Sequence, residues 1–209
     1  MPRFARLLSC CLLCVSGVAQ AVPPQFEATS FGTYRVGGEF EADNAPPGAP
    51  RSADLEDGGG WGVGLALYRD PDSFYEFLYS RQATRIDRNA PAGASLEVIT
   101  EYYHLGGTLL FDTSPAWRTW LSLTAGMTRF KAEGFSAESE FSASLGGGLR
   151  VPLGERVALT LGLRGYLTFV DTDTQFFCGS IDGTGGCLLS STGSTIFQAE
   201  ASAGLAFRF

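Results

Sequence analysis

Apolar and polar residues alternate with a period of two along most of the chain, and the alternation is cleanest at its end. In Ile196 to Phe209, the residues Phe197, Ala199, Ala201, Ala203, Leu205, Phe207 and Phe209 fall on one face of an extended strand. Gln198, Glu200, Ser202, Gly204 and Arg208 fall on the other. Upstream segments repeat the pattern: Tyr34 and Val36 oppose Arg35 and Glu39, Trp61, Val63, Leu65 and Leu67 oppose Gly62, Gly64, Ala66 and Tyr68, and Tyr75, Phe77 and Tyr79 oppose Glu76 and Ser80. Leu105, Leu109 and Phe111 line the fourth segment, Leu121, Leu123 and Met127 the fifth, Phe141, Leu145 and Leu149 the sixth, and Leu159, Leu161 and Leu163 the seventh. With the last stretch these predict eight strands. The fourth carries Glu97 and Glu101 on its apolar face, so either it projects beyond the apolar layer or a bulge shifts its register.

The connections alternate in length. Asp43–Gly59, Asp87–Ser95, Lys131–Ala137 and Asp171–Ser194 are the longer ones, and they are separated by tight turns at Asp70–Ser73, Asp112–Ala116 and Pro152–Glu155. Loops sorted in this way mark a membrane barrel, with loops at one end and turns at the other. A soluble barrel of the lipocalin type shares the period of two but has no reason to sort its loops. The polar face is glycine, serine and threonine with a few long charged side chains, which suits the narrow lumen of eight strands. Aromatic residues near strand ends (Trp61, Tyr75, Trp117, Phe169, Phe207, Phe209) fit interfacial girdles. The predicted fold is all-β: an eight-stranded antiparallel up-and-down transmembrane β-barrel with its apolar face outward.

The first 21 residues stand apart. Arg3 and Arg6, the apolar run Leu7 to Val18 and Ala19-Gln20-Ala21 have the layout of a cleaved signal peptide. Residues 22–30 are expected to form a periplasmic lead-in, and 31–209 the barrel domain. The leader takes two of the 15 bases and none of the 22 acids, so the mature chain is more acidic than the net −7 of the whole. With no basic patch, nucleic acid is not an expected partner. The leader also takes Cys10, Cys11 and Cys14, leaving Cys178 and Cys187, which in an exported chain suggest one disulfide.

Candidate chemistry is sparse. Arg35, Glu39, Glu76, Arg150, Arg164, Glu200 and Arg208 point inward by strand parity and are expected to form an interior network of ion pairs, with Glu200 paired to Arg164 and with Arg35 in the lower half of the lumen. Buried charges are costly unless paired, so a lumen holding both signs reads as a plug. His104, the single histidine, is also inward by parity, with no serine evidently paired to it; the expectation is a hydrogen-bonded interior residue and no catalytic site. No spacing indicates a metal site or a cofactor.

The eight alternating strands, YYHLGGTLLF at Tyr102 to Phe111, GGGLRVPLG at Gly146 to Gly154 and the terminal GLAFRF together resemble the OmpA/OmpX-like family of small outer-membrane β-barrels. The resemblance implies residence in the outer membrane of a Gram-negative bacterium, contact with its lipid and lipopolysaccharide, and assembly by periplasmic chaperones and the barrel insertion machinery. It also implies that Leu205, Phe207 and Phe209 form the assembly signal. The expected role is structural, or surface interaction through the outer loops with an external partner that the sequence does not identify. The alternatives are a small gated polar channel and, less favoured, a lipid A-modifying enzyme.

Overall fold

A computed structural model describes residues 25–41, 52–86, 96–132, 135–170, 175–181, 184–190 and 195–209. Eight long strands, β1 (Phe26–Gly37), β4 (Gly58–Asp70), β5 (Ser73–Ile86), β6 (Leu96–Ser114), β7 (Trp117–Ala132), β8 (Glu138–Pro152), β9 (Val157–Phe169) and β12 (Thr195–Arg208), close into an antiparallel barrel. The order is up-and-down, and β1 seals the cylinder between β12 and β4. Closure satisfies every strand edge, the condition for crossing a bilayer with strands. Two small hairpins, β2 (Glu39–Glu41) with β3 (Ser52–Asp54) and β10 (Gln175–Ile181) with β11 (Thr184–Ser190), lie within the long connections after β1 and β9.

The turns between β4 and β5, β6 and β7, and β8 and β9 lie at the end of the barrel where β1 starts and β12 finishes, and there the Phe209 amide donates to the Phe26 carbonyl at 2.9 Å. Arg118 ties two of these turns together, donating to the Pro71 carbonyl at 3.0 Å and pairing with Asp72 and Asp112. Asp70, in the turn outside the membrane, is held below the usual carboxylate range by the Ser73 hydroxyl and the Asp72 amide.

The faces are inverted relative to a soluble protein. Leu163 is 70% exposed, Leu123 67% and Leu105 66%, whereas Arg35, His104 and Tyr102 are fully buried in the lumen. An apolar belt of this extent is stable only against lipid.

One expectation changes, and one open alternative closes. β1 runs from Phe26, so the last part of the expected lead-in, residues 22–30, is strand. The prolines just upstream and an interior glutamate hid an alternation that already includes Glu27, Thr29, Phe31 and Thr33 on the inner face. In β6 the register is unbroken against β5 from Leu96 to Leu109, and it shifts against β7 only beyond Phe111. Glu97 and Glu101 therefore do face outward, on the part of β6 that projects past the apolar belt.

Candidate functional site

The lumen holds its charges in three stacked groups. At the turn end, Arg150 of β8 donates two hydrogen bonds to Glu27 of β1, at 2.8 and 2.5 Å. The Tyr68 hydroxyl donates to the same carboxylate at 3.2 Å and accepts from Arg208 at 2.8 Å, while the Arg208 guanidinium lies 4.4 Å from the Tyr68 ring centre. One level up, Glu76 accepts from Ser122 at 2.6 Å, from Thr108 at 3.0 Å and from Arg164 at 3.3 Å. Gly146 lies beside Arg164, where a Cβ would meet its side chain at 3.2 Å. A larger residue would press on the guanidinium stem.

In the loop-side half, Arg35 donates to Glu200 through Nε at 3.2 Å and Nη2 at 2.7 Å, and Ser80 and Tyr166 donate to the same carboxylate at 2.7 and 3.0 Å. Tyr102 and Tyr166 stack at 3.9 Å with Arg35 over both rings. The Tyr102 hydroxyl continues the chain to Gln198 at 2.7 Å. His104 stands edge-on to both tyrosines, its ring nitrogens 2.9 Å from the Thr124 hydroxyl and 2.8 Å from the Ser142 hydroxyl. Below this layer the lumen keeps a cavity of about 80 Å³, lined among others by Glu27, Glu76, Arg150 and Arg164, with room for only a few water molecules.

The structure thus brings six of the seven expected charges into the lumen network but rearranges the partners. Glu200 pairs with Arg35, and Arg164 with Glu76. Glu200 stands across from both arginines in the register, but Arg164 reaches over Gly146 toward β5 and leaves Glu200 to Arg35. Arg35 sits in the loop-side half, because β1 starts at Phe26 and has already climbed the barrel when it reaches Arg35. Glu39 lies in β2, beyond the barrel wall, and its side chain is outside the described residues. His104 does have a serine partner in Ser142, yet both are fully buried in the lumen, and the second nitrogen meets a threonine where a triad needs a carboxylate.

Glu27 is not legible in the sequence as a lumen residue, because it falls within the stretch expected as lead-in. Nor are Tyr68, Tyr102 and Tyr166 legible as members of the network, because alternation marks a face without showing which hydroxyls meet. Among the described residues no group of three or more metal-ligating side chains occurs. Cys178 and Cys187 stand directly opposite each other in the register of the β10–β11 hairpin. Leu205 and Phe207 lie on the outer face of β12, and Phe209 follows that strand and is 79% exposed.

The outer wall has its own polar feature. At the loop end of β5, β6 and β7, Glu101 accepts from Lys131 at 2.6 Å, Tyr79 at 3.0 Å and Tyr103 at 3.3 Å, with Arg81 at 4.0 Å. Beyond it, a cleft of about 680 Å³ crosses the loop-end rim of the barrel, lined by Arg81, Arg85, Glu97 and Lys131, by the inward-facing Thr84, Val98 and Ala132, and by Glu56 and Asp57 beside β4.

No protein-family model and no curated protein matches this sequence. Solved structures do match its shape. The outer membrane protein OprG from Pseudomonas aeruginosa is similar at a TM-score of 0.59 and 11% identity, over 89% of this chain and 96% of that one. The outer membrane protein AlkL in lipid bilayers gives 0.57 at 15% identity, over 89% and 90%. Neisserial surface protein A gives 0.55 at 14%, over 88% and 97%. At these identities the likeness shows the fold.

Proposed function

We propose that this protein, a small β-barrel of the OmpA/OmpX-like type in the outer membrane of a Gram-negative bacterium, is a closed structural component of the envelope whose outer loops and hairpins form a contact surface. The observation that carries the reading is the layer of Arg35, Glu200, Tyr102, Tyr166 and His104. All are nearly or fully buried, and they link β1, β6, β9 and β12 across the lumen to Ser80 of β5, Thr124 of β7 and Ser142 of β8. Moving an ion through would strip partners from buried charges, each a cost of several kcal/mol.

Purified protein in planar bilayers is expected to show no steady conductance. A steady conductance that changes in Arg164→Ala would establish the channel reading in its place. A deletion strain scored for detergent sensitivity and for surface adhesion separates the envelope role from the contact role.

A Cys178–Cys187 disulfide across the β10–β11 hairpin suits an exported chain whose two cysteines stand opposite each other in register. The intact protein is expected to carry no alkylatable thiol before reduction and two after it, as read by mass spectrometry of the mature chain. Two free thiols in the unreduced protein would remove the cross-link.

A further inference from the structure

Among the described residues, no Asp, Glu, Lys or Arg faces outward between the two ends of the barrel, and at the loop end the outward charges of the strands gather on three neighbouring ones. The register sets Arg81, Glu101 and Arg129 side by side on β5, β6 and β7, with Lys131 one step beyond and the Arg85–Glu97 pair at 3.5 Å beyond that. Four bases thus meet two acids on the outer wall of a chain whose net charge is −7. One step toward the membrane lie Tyr79, Tyr103 and Met127, with the two tyrosine rings 5.0 Å apart and Trp61 edge-on to Tyr79. Residues two apart on a strand are separated by about 7 Å. The cations therefore stand where a headgroup phosphate belongs when its acyl chains lie along the apolar belt below.

Glu101 organises the group. It is 5% exposed, and by holding Lys131 and both phenols it fixes one ammonium and the two rings while Arg81 stays at the edge of its reach. Guanidinium groups facing a phosphate form strong paired hydrogen bonds, and they do so most effectively away from bulk water.

We propose that Arg81, Arg129 and Lys131 form a binding site for the phosphorylated headgroup of the outer-leaflet glycolipid, with Tyr79, Tyr103 and Leu105 carrying its acyl chains. Glu56 and Asp57 line the cleft on the β4 side, which repels an anion from the loops and leaves the membrane-facing side to it. The site is independent of whether the lumen conducts.

The test uses the full mature barrel in nanodiscs of phosphatidylethanolamine doped with lipid A, and reads co-retained lipid by mass spectrometry after exchange into detergent. The wild type is expected to retain lipid A about tenfold more than the Arg81→Gln/Arg129→Gln/Lys131→Gln variant. Retention should fall similarly for dephosphorylated lipid A, and phosphatidylglycerol or inorganic phosphate should not displace the lipid at equal concentration. Heat-modifiable mobility on gels confirms that the variant is folded, and Arg129→Gln/Lys131→Gln replaces it if it is not. Equal retention by a folded variant overturns the site. Displacement by phosphatidylglycerol or by phosphate alone overturns its assignment to the glycolipid.

Discussion

Arg35→Ala is expected to destabilise the folded barrel by about 3–5 kcal/mol, the cost of leaving one partner of a buried ion pair without the other. Arg35 is fully buried and Glu200 nearly so. After truncation, Glu200 keeps Ser80 and Tyr166 as neutral donors at 2.7 and 3.0 Å but loses its cation. The stack of Tyr102 on Tyr166 loses the guanidinium that covers both rings. Reversible urea unfolding in lipid vesicles, followed by tryptophan fluorescence, measures the change. The double variant Arg35→Leu/Glu200→Leu should recover much of the loss, since removing both charges leaves no uncompensated ion. A single variant as stable as the wild type would show that water reaches this layer and that the plug is leaky.

Leu163→Arg should cost about 2–4 kcal/mol, the value for a charge on the lipid face near the bilayer midplane. Leu163 is 70% exposed, midway along β9, flanked on the outer face by Leu161 and Gly165. On a water-facing surface the same change would be close to neutral. The experiment therefore separates lipid from water as the solvent of this wall. Unfolding in vesicles is again the measurement, with Leu153→Arg, in the turn outside the belt, as the control expected to cost little. Equal stability of the Leu163 variant and the wild type would mean that this face does not sit in hydrocarbon.

Much of the fold can be read without coordinates. Face assignments survive because strand parity is local: once Leu205 and Phe207 are outward, Glu200 and Arg208 must be inward, and the same holds on each strand. His104 follows the same rule, since no bulge interrupts β6 between Leu96 and Leu109. Where the reading fails, the missing information is nonlocal. Glu27 was lost to a segment boundary that Pro23 and Pro24 drew too late in the chain. The outer-wall group at Glu101 looked like a conflict within one strand, because the bases that answer it lie on β5 and β7.

The sequence by itself determined the number of barrel strands, the face that most of their residues take and the end at which the loops lie, since these depend on a two-residue period and on turn chemistry within a few neighbours. Only the closed barrel decided which charges meet. Arg35 and Glu200 are 165 positions apart and touch because β1 seals against β12. Arg164 turns to Glu76 because Gly146 leaves it room to cross toward β5. Pairing inside a narrow lumen depends on stagger, side-chain reach and the volume of the neighbour, and these quantities exist only once the cylinder is shut.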